Sequence, residues 1–192
     1  MLKNCWQQCL ANDTAALGHI HAALFEGLYN YAGKLLNDDA LADDAVQELF
    51  IKIWQKRSSI GSLEKVKPFF FTALRRQILN QLRDIKSKQL KINAVPEPDI
   101  EFSQEEIIIK KEDDTGLKEK ILQILNTLPE RQREVIYLHF FEDMALAQVA
   151  EVMAINYQSV QNLKQRALQN MRSADLLSLF TLLYTAYHFG KF

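Results

Sequence analysis

Leu128 to Arg172 reads LPERQREVIYLHFFEDMALAQVAEVMAINYQSVQNLKQRALQNMR. Val149, Ala150 and Met153 recur on one helical face, the pattern breaks at Ala154-Ile155-Asn156, and Val160, Leu163, Ala167 and Met171 form the inner face of a second helix. That pattern predicts a helix followed by a helix-turn-helix, whose second helix can enter the major groove of duplex DNA. Ala150 is small where two helices would cross, Ala154 suits a tight turn, and Val160 plugs the angle between them. The alternative is an ordinary helical hairpin. A hairpin does not call for small residues at the crossing, nor for an outer face made of Gln158, Ser159, Gln161, Asn162, Gln165 and Arg166.

Working outward, 192 residues suffice for one large domain or two small ones. Six Gly, four Pro and little clean β-alternation predict an all-α chain. The net charge of -1 hides an uneven distribution. Residues 1–95 hold 13 Lys and Arg against 9 Asp and Glu, residues 96–116 hold 2 against 8, and residues 117–172 hold 7 against 6. An acidic connector therefore separates two modules that are not acidic. The expected layout is two small helical domains, 1–90 and 117–172, joined by an acidic flexible linker over 91–116 that contains Pro96 and Pro98, with Ile107-Ile108-Ile109 docking on a partner or beginning the next helix. A tail follows at 173–192, and its Asp175–Phe192 stretch is apolar on every side of a helix; packing onto the second module is its simplest role, ahead of partner binding or a weak membrane contact.

In the first module Leu17, Ile20, Leu24, Leu28, Tyr31 and Leu35 recur at helical spacing, and Asn37-Asp38-Asp39 ends that helix and caps the next. The next spans about Ala40 to Lys56, with Ala42, Val46, Leu49, Phe50 and Ile53 inward and Asp43, Asp44, Gln47, Glu48, Lys52 and Gln55 outward. A loop is expected from Arg57 to Lys67; Pro68 then opens a helix that buries Phe71, Leu74, Ile78 and Leu82 and reaches about Ser87. In the second module Leu117–Leu128 forms the first helix and Pro129 opens another containing Val135, Ile136, Leu138 and Phe141.

Enzymatic chemistry finds little support. No Gly-rich phosphate loop, His-x-x-x-His or Cys-x-x-Cys pair occurs. At i, i+4 Cys5 and Cys9 would share one face of any helix formed there and read as reduced core thiols, and Asp43, Asp44 and Glu48 read as a solvated or protein-docking face rather than a metal site. No cofactor, metal or small-molecule substrate is expected, and with no signal-like opening or spanning segment the expected location is cytoplasmic. The third helix and its preceding loop are better suited to nucleic acid. Lys65, Lys67, Arg75, Arg76, Arg83, Lys86, Lys88 and Lys91 stand there against Asp84 alone, with Phe69-Phe70-Phe71 among them. Cations interleaved with aromatics suit single-stranded DNA, and a basic surface helix over a phenylalanine core is the alternative.

Asp44-x-x-Gln47-Glu48-x-Phe50-x-x-x-Trp54, then the Phe/Arg-rich helix, then LPERQREV and Val160…Arg166-Ala167-Leu168…Arg172 resemble, in this order, the bacterial extracytoplasmic-function (ECF) sigma factors, the minimal two-domain members of the sigma-70 family. The resemblance covers about Leu17–Leu90 and Leu117–Arg172, and Tyr157–Leu163 is worded as in Bacteroidetes-type members. It implies that Asp44, Gln47 and Glu48 dock on the beta-prime clamp of core RNA polymerase. Lys65, Lys67, Phe69, Arg75, Arg76, Arg83 and Lys86 would serve -10 element melting and capture of the non-template strand, and the acidic linker would thread the polymerase cleft. Relatives often carry Trp where Phe69 stands and Asn where Arg76 stands.

For the -35 element the resemblance points to the second helix of the helix-turn-helix. Gln158, Ser159, Gln161, Asn162 and Gln165 would read bases, and Lys164, Arg166 and Arg172 would hold phosphates. An anti-sigma factor is an implied partner. Two other readings stay open at this level: a stand-alone helix-turn-helix transcriptional regulator, and a protein-binding helical adaptor. A net charge of +1 over 117–172 argues against the first, because phosphate neutralisation supplies most of the affinity of a self-sufficient DNA binder.

Overall fold

The structure, a computed structural model, describes residues 1–90, 100–103 and 115–172, and for residues 85–90, 115–118 and 172 the backbone alone. Among the described residues all regular structure is helical. The tail at 173–192, the Ile107–Ile109 run, most of the acidic connector, and the side chains of Lys86, Lys88, Lys91 and Arg172 lie outside them. By spatial grouping, residues 1–90 and 147–155 form one compact unit, and residues 100–103, 115–146 and 156–172 form the other.

The first unit is built on four helices: α1 (Leu2–Leu10), α2 (Thr14–Leu36), α3 (Asp39–Ile60) and α4 (Val66–Leu90). Helix α1 was not foreseen, because its inner face is carried by just Cys5, Trp6 and Cys9 in nine residues. All three are buried, and both thiols are reduced on one helix face. The boundaries of α2 and α3 follow from capping. Asp13 Oδ1 accepts hydrogen bonds from the backbone of Ala15 (2.9 Å) and Ala16 (3.2 Å), and Asp38 Oδ1 from that of Leu41 (3.0 Å), satisfying donors that have no partner within the helix. Asn37 ends α2 in the left-handed region (φ 52°), which Asn tolerates better than most residues.

Helix α3 runs four residues past the expected end at Lys56 and shortens the expected 57–67 loop to residues 61–65. Ser58 and Ser59 look like breakers, yet side chains of the last turn bond back onto the helix. Arg57 donates to the Trp54 carbonyl at 2.6 Å and Ser59 Oγ to that of Lys56 at 2.7 Å. Gly61, at φ 70°, is the actual stop, and its N–H caps the Arg57 carbonyl. Helix α4 starts at Val66 rather than Pro68; Pro68 still lies in the first turn, where an absent N–H forfeits no helical bond. It also continues to Leu90, beyond the expected Ser87.

The predicted inner faces of these helices pack as a core. Ile20, Leu28, Tyr31, Phe71, Leu74 and Ile78 from those faces are fully buried, and Phe70 and Trp6, which the spacing did not assign inward, are buried with them. Two positions differ from expectation, since Leu17 and Leu82 are half-buried at the edges. Trp6 meets Phe70 edge-on at 6.3 Å and donates its indole N–H to the Gly61 carbonyl at 2.8 Å, so α1 is pinned to the turn between α3 and α4.

The second unit contains α5 (Thr115–Thr127), α6 (Glu130–Ile136) and α8 (Tyr157–Arg172); α7 (Leu146–Met153) precedes α8 in the chain. Pro129 caps α6, its carbonyl accepting from Gln132 (2.8 Å) and Arg133 (3.0 Å). The α6 register does not continue to Phe141 as expected. Tyr137–Phe141 widens into a π-helical turn, marked by Glu142 N–H donating to the Tyr137 carbonyl, five residues back, at 3.1 Å. Val135, Ile136, Leu138, Val160, Ala167 and Met171 are buried, and Asn170 on α8 bonds Gln132 on α6 at 3.2 Å.

Candidate protein-docking and nucleic-acid interfaces

Helix α3 presents an outer face. Asp44 and Gln47 are exposed and Glu48 is half-buried. Gln47 Nε2 donates to Asp43 Oδ2 at 2.6 Å, and Glu48 pairs with Lys52 at 2.8 Å. Such exposed i, i+4 contacts stabilise a helix by only about 0.2–0.5 kcal/mol, so a partner can displace them cheaply. The same face carries two residues the sequence reading missed: Leu41 is 50% and Ile51 is 56% exposed. At about 100° per residue, positions 41, 44, 47, 48 and 51 fall within about 120° of arc. Carboxylates and an amide bracketed by exposed aliphatics make a surface suited to a protein partner. The signal was available: once 42, 46, 49, 50 and 53 are assigned inward, Leu41 and Ile51 are the large aliphatic residues left over.

Along α4 the expected cationic–aromatic cluster separates into parts. Phe70 and Phe71 are core residues with no exposed surface. Phe69 is half-buried against Trp6 (6.5 Å) and Phe70 (6.1 Å) and keeps an accessible edge. Helical spacing aligns Phe69, Arg76 and Arg83 within about 40° of arc, and Asn80 shares that stripe. Arg83 donates to Asn80 Oδ1 at 2.8 Å, so Asn80 is a further residue that the sequence reading left out. Lys67 lies on the opposite side, about 160° from Phe69, its ammonium 5.5 Å from the Phe71 ring. Arg75 is half-buried on a flank, Arg76 is exposed, and Lys65 is exposed in the preceding loop. Of the seven -10 candidates, three form a line on α4.

The turn before α8 closes as the spacing predicted. Ala154 takes up a left-handed conformation at φ 54°, and Ile155 N–H reaches the Ala150 carbonyl at 3.2 Å. Asn156 Oδ1 caps α8 through the Ser159 N–H at 2.7 Å. On α8, Gln158, Asn162 and Gln165 are exposed, and Gln161 and Ser159 are half-buried. Gln158, Gln161, Asn162 and Gln165 share about 100° of arc opposite buried Val160, Ala167 and Met171. Arg166 and Ser159 flank this arc on one side and Lys164 on the other. Gln158 Nε2 donates to Asn162 Oδ1 at 3.1 Å, and Gln161 Nε2 to the Tyr157 hydroxyl at 3.2 Å, which orients the amides before any DNA is present. Tyr157, 49% exposed, belongs to this surface although the sequence reading passed over it.

His139 is half-buried beside Phe140, and its Nδ1 lies 2.8 Å from the Met144 carbonyl. Burial lowers its pKa below the ordinary value of 6.5, so it serves the fold as a neutral ring. Burial, with Cys5 adding to it, raises the Cys9 pKa. Among the described residues no group of three His, Cys, Asp or Glu converges on a point, and no helix is long and apolar enough to cross a membrane.

These surfaces fall within two recognised sequence regions. The profile described as Sigma-70 region 2 matches residues 23–88, which include the α3 face and most of α4, and that described as Sigma-70, region 4 matches residues 118–171, which include the turn and α8 as far as Met171. The RNA polymerase sigma factor SigV of Bacillus subtilis is 36% identical over 135 residues, covering 70% of this chain and 75% of SigV. The ECF RNA polymerase sigma factor SigL of Mycobacterium tuberculosis is 27% identical over 158 residues, covering 82% and 85% of the two chains. CnrH, solved in complex with the cytosolic domain of CnrY, has a similar fold with a TM-score of 0.61 over 90% of this chain and 95% of CnrH, at 16% identity. The sigma factor RpoE of Bartonella quintana, solved with the anti-sigma factor NepR, gives 0.59 over 81% and 94% at 20% identity. The chain belongs to the sigma-70 family and is an ECF RNA polymerase sigma factor.

Proposed function

We propose that this sigma factor grips a promoter at two points and holds it chiefly through core polymerase. The α3 face, Asp44, Gln47 and Glu48 framed by Leu41 and Ile51, docks on the beta-prime clamp. The α4 stripe of Phe69, Arg76 and Arg83, with Lys65, Arg75 and Lys86 around it, captures the melted non-template strand at the -10 element by stacking and phosphate contact, while Lys67 on the far side of the helix adds only to the positive field. Helix α8 lies in the major groove at the -35 element. Its amide arc pairs with base edges, Gln and Asn being suited to adenine, while Lys164, Arg166 and Arg172 reach phosphates.

The observation that carries this reading is the division of labour on α8, a central arc of amides with cations only at its margins. Such a helix discriminates bases better than it holds DNA, because affinity comes mainly from phosphate neutralisation. Holding must come from elsewhere, and the α3 face supplies the route. The protein makes no covalent change itself and acts in the cytoplasm. An anti-sigma factor is a further proposed partner, supported by a fold shared with a sigma factor solved with its anti-sigma factor. The test is in vitro transcription with core polymerase on a genomic promoter library. Initiation from a defined promoter set is expected, and its absence on every template overturns the reading.

A further inference from the structure

Part of the acidic connector is anchored. Ile100 has no exposed surface and Phe102 is 4% exposed, while Glu101 between them is exposed. That alternation marks an extended segment with one side buried. Asn126, near the end of α5, grips the segment from beside it. Its Oδ1 accepts the Phe102 N–H at 2.9 Å, and its Nδ2 donates to the Phe102 carbonyl at 3.1 Å. One side-chain amide thus satisfies both backbone groups of a single residue, as a neighbouring strand would. The Phe102 ring packs against Phe141 (5.2 Å) and Tyr137 (6.3 Å). Those two rings stack on each other at 5.8 Å across the π-helical turn, and buried Glu142 accepts the Tyr137 hydroxyl at 3.2 Å. The wall of the site is therefore fixed by bonds that do not involve its occupant.

We infer that Asn126, Tyr137 and Phe141 form a built-in peptide-binding site whose ligand is the chain's own Ile100-Glu101-Phe102 segment, and that this latch sets the reach between the two DNA-contacting units. With the latch closed, nine residues separate Leu90 from Ile100, and ten Cα steps span at most about 36 Å. With it open, the chain from Leu90 to Thr115 is 25 steps, at most about 90 Å. A closed latch therefore more than halves the greatest distance the connector can bridge. This second statement rests on the promoter-gripping function proposed above; the latch itself does not.

Hydrogen exchange on the full chain tests the latch. The Phe102 amide is expected to be protected, and Asn126→Ala or Phe102→Ser to speed exchange across residues 100–102 by about tenfold or more while α6 and α8 amides keep their protection. Unprotected exchange at Phe102 in the native protein, or protection unchanged by Asn126→Ala, overturns it. Run-off transcription by holoenzyme on a series of -10/-35 spacer lengths tests the consequence. Native protein is expected to fall off more steeply with spacer length than Asn126→Ala, and equal dependence overturns the role in reach. Failure of both proteins to initiate anywhere refutes the promoter-gripping reading and leaves the latch to the exchange result.

Discussion

Gln158→Ala separates base reading from DNA holding more cleanly than any other change on α8. Gln158 is exposed, at the centre of the amide arc, and its bond to Asn162 is made in solvent. Losing that bond should leave stability within about 0.5 kcal/mol of the native protein. A well-placed amide–base pair contributes about 1–3 kcal/mol of discrimination, which is about a 5- to 160-fold preference for one base pair over its alternatives. The assay is run-off transcription by holoenzyme on templates carrying every single-base change across the -35 element. Gln158→Ala should flatten the preference at one or two adjacent positions and leave the others intact. Arg166→Ala should instead lower initiation on all templates alike and reduce the slope of log affinity against log salt by about one. A uniform loss with Gln158→Ala, or a position-specific loss with Arg166→Ala, would refute the assignment of amides to bases and cations to phosphates.

Three further outcomes follow from named contacts. Ile51→Asp removes an exposed aliphatic, so it should change folding by no more than about 0.5 kcal/mol yet weaken assembly with core polymerase about tenfold in a titration; unchanged assembly would remove Ile51 from the docking face. Phe70→Ala should destabilise the protein by about 3–5 kcal/mol in urea melts, because Phe70 is fully buried between Trp6 and Phe50; a loss under 1 kcal/mol would mean that the first unit's core is not organised around it. His139, whose pKa burial lowers, takes up a proton more readily when unfolded than when folded. Stability should therefore fall as pH drops through the unfolded value near 6.5, and His139→Gln should flatten that dependence in thermal melts across pH 5 to 8. A native slope unchanged by the substitution would assign it to other groups.

The inner faces of α2, α3 and α8 were legible because a 3.6-residue period over several turns overdetermines which side is buried. Val46, Phe50, Val160 and Ala167 each sit where that period placed them. The turn at Ala154 was legible from one small residue at a break in that period. Helix α1 was not, since nine residues offer too few turns for a period to register, and its burial depends on Trp6 reaching Gly61 from 55 residues away. The grouping of Phe69, Arg76 and Arg83 apart from Lys67 was hidden for a different reason. A list of cations in a segment carries no angle until the helix boundaries are known. The Phe102 latch was hidden most completely. The connector's acidic composition announced solvent, and only the distant Asn126, Tyr137 and Phe141 give Ile100 and Phe102 somewhere to go.

The central claim, that this chain reads a promoter as a subunit and does not hold one by itself, is tested most directly by binding to a single promoter fragment at physiological salt. Three samples are compared: the chain alone, core polymerase alone, and the two together. A specific complex, lost when either the -35 or the -10 element is changed, should form in the mixture only. A specific complex of equal affinity with the chain alone would contradict the account.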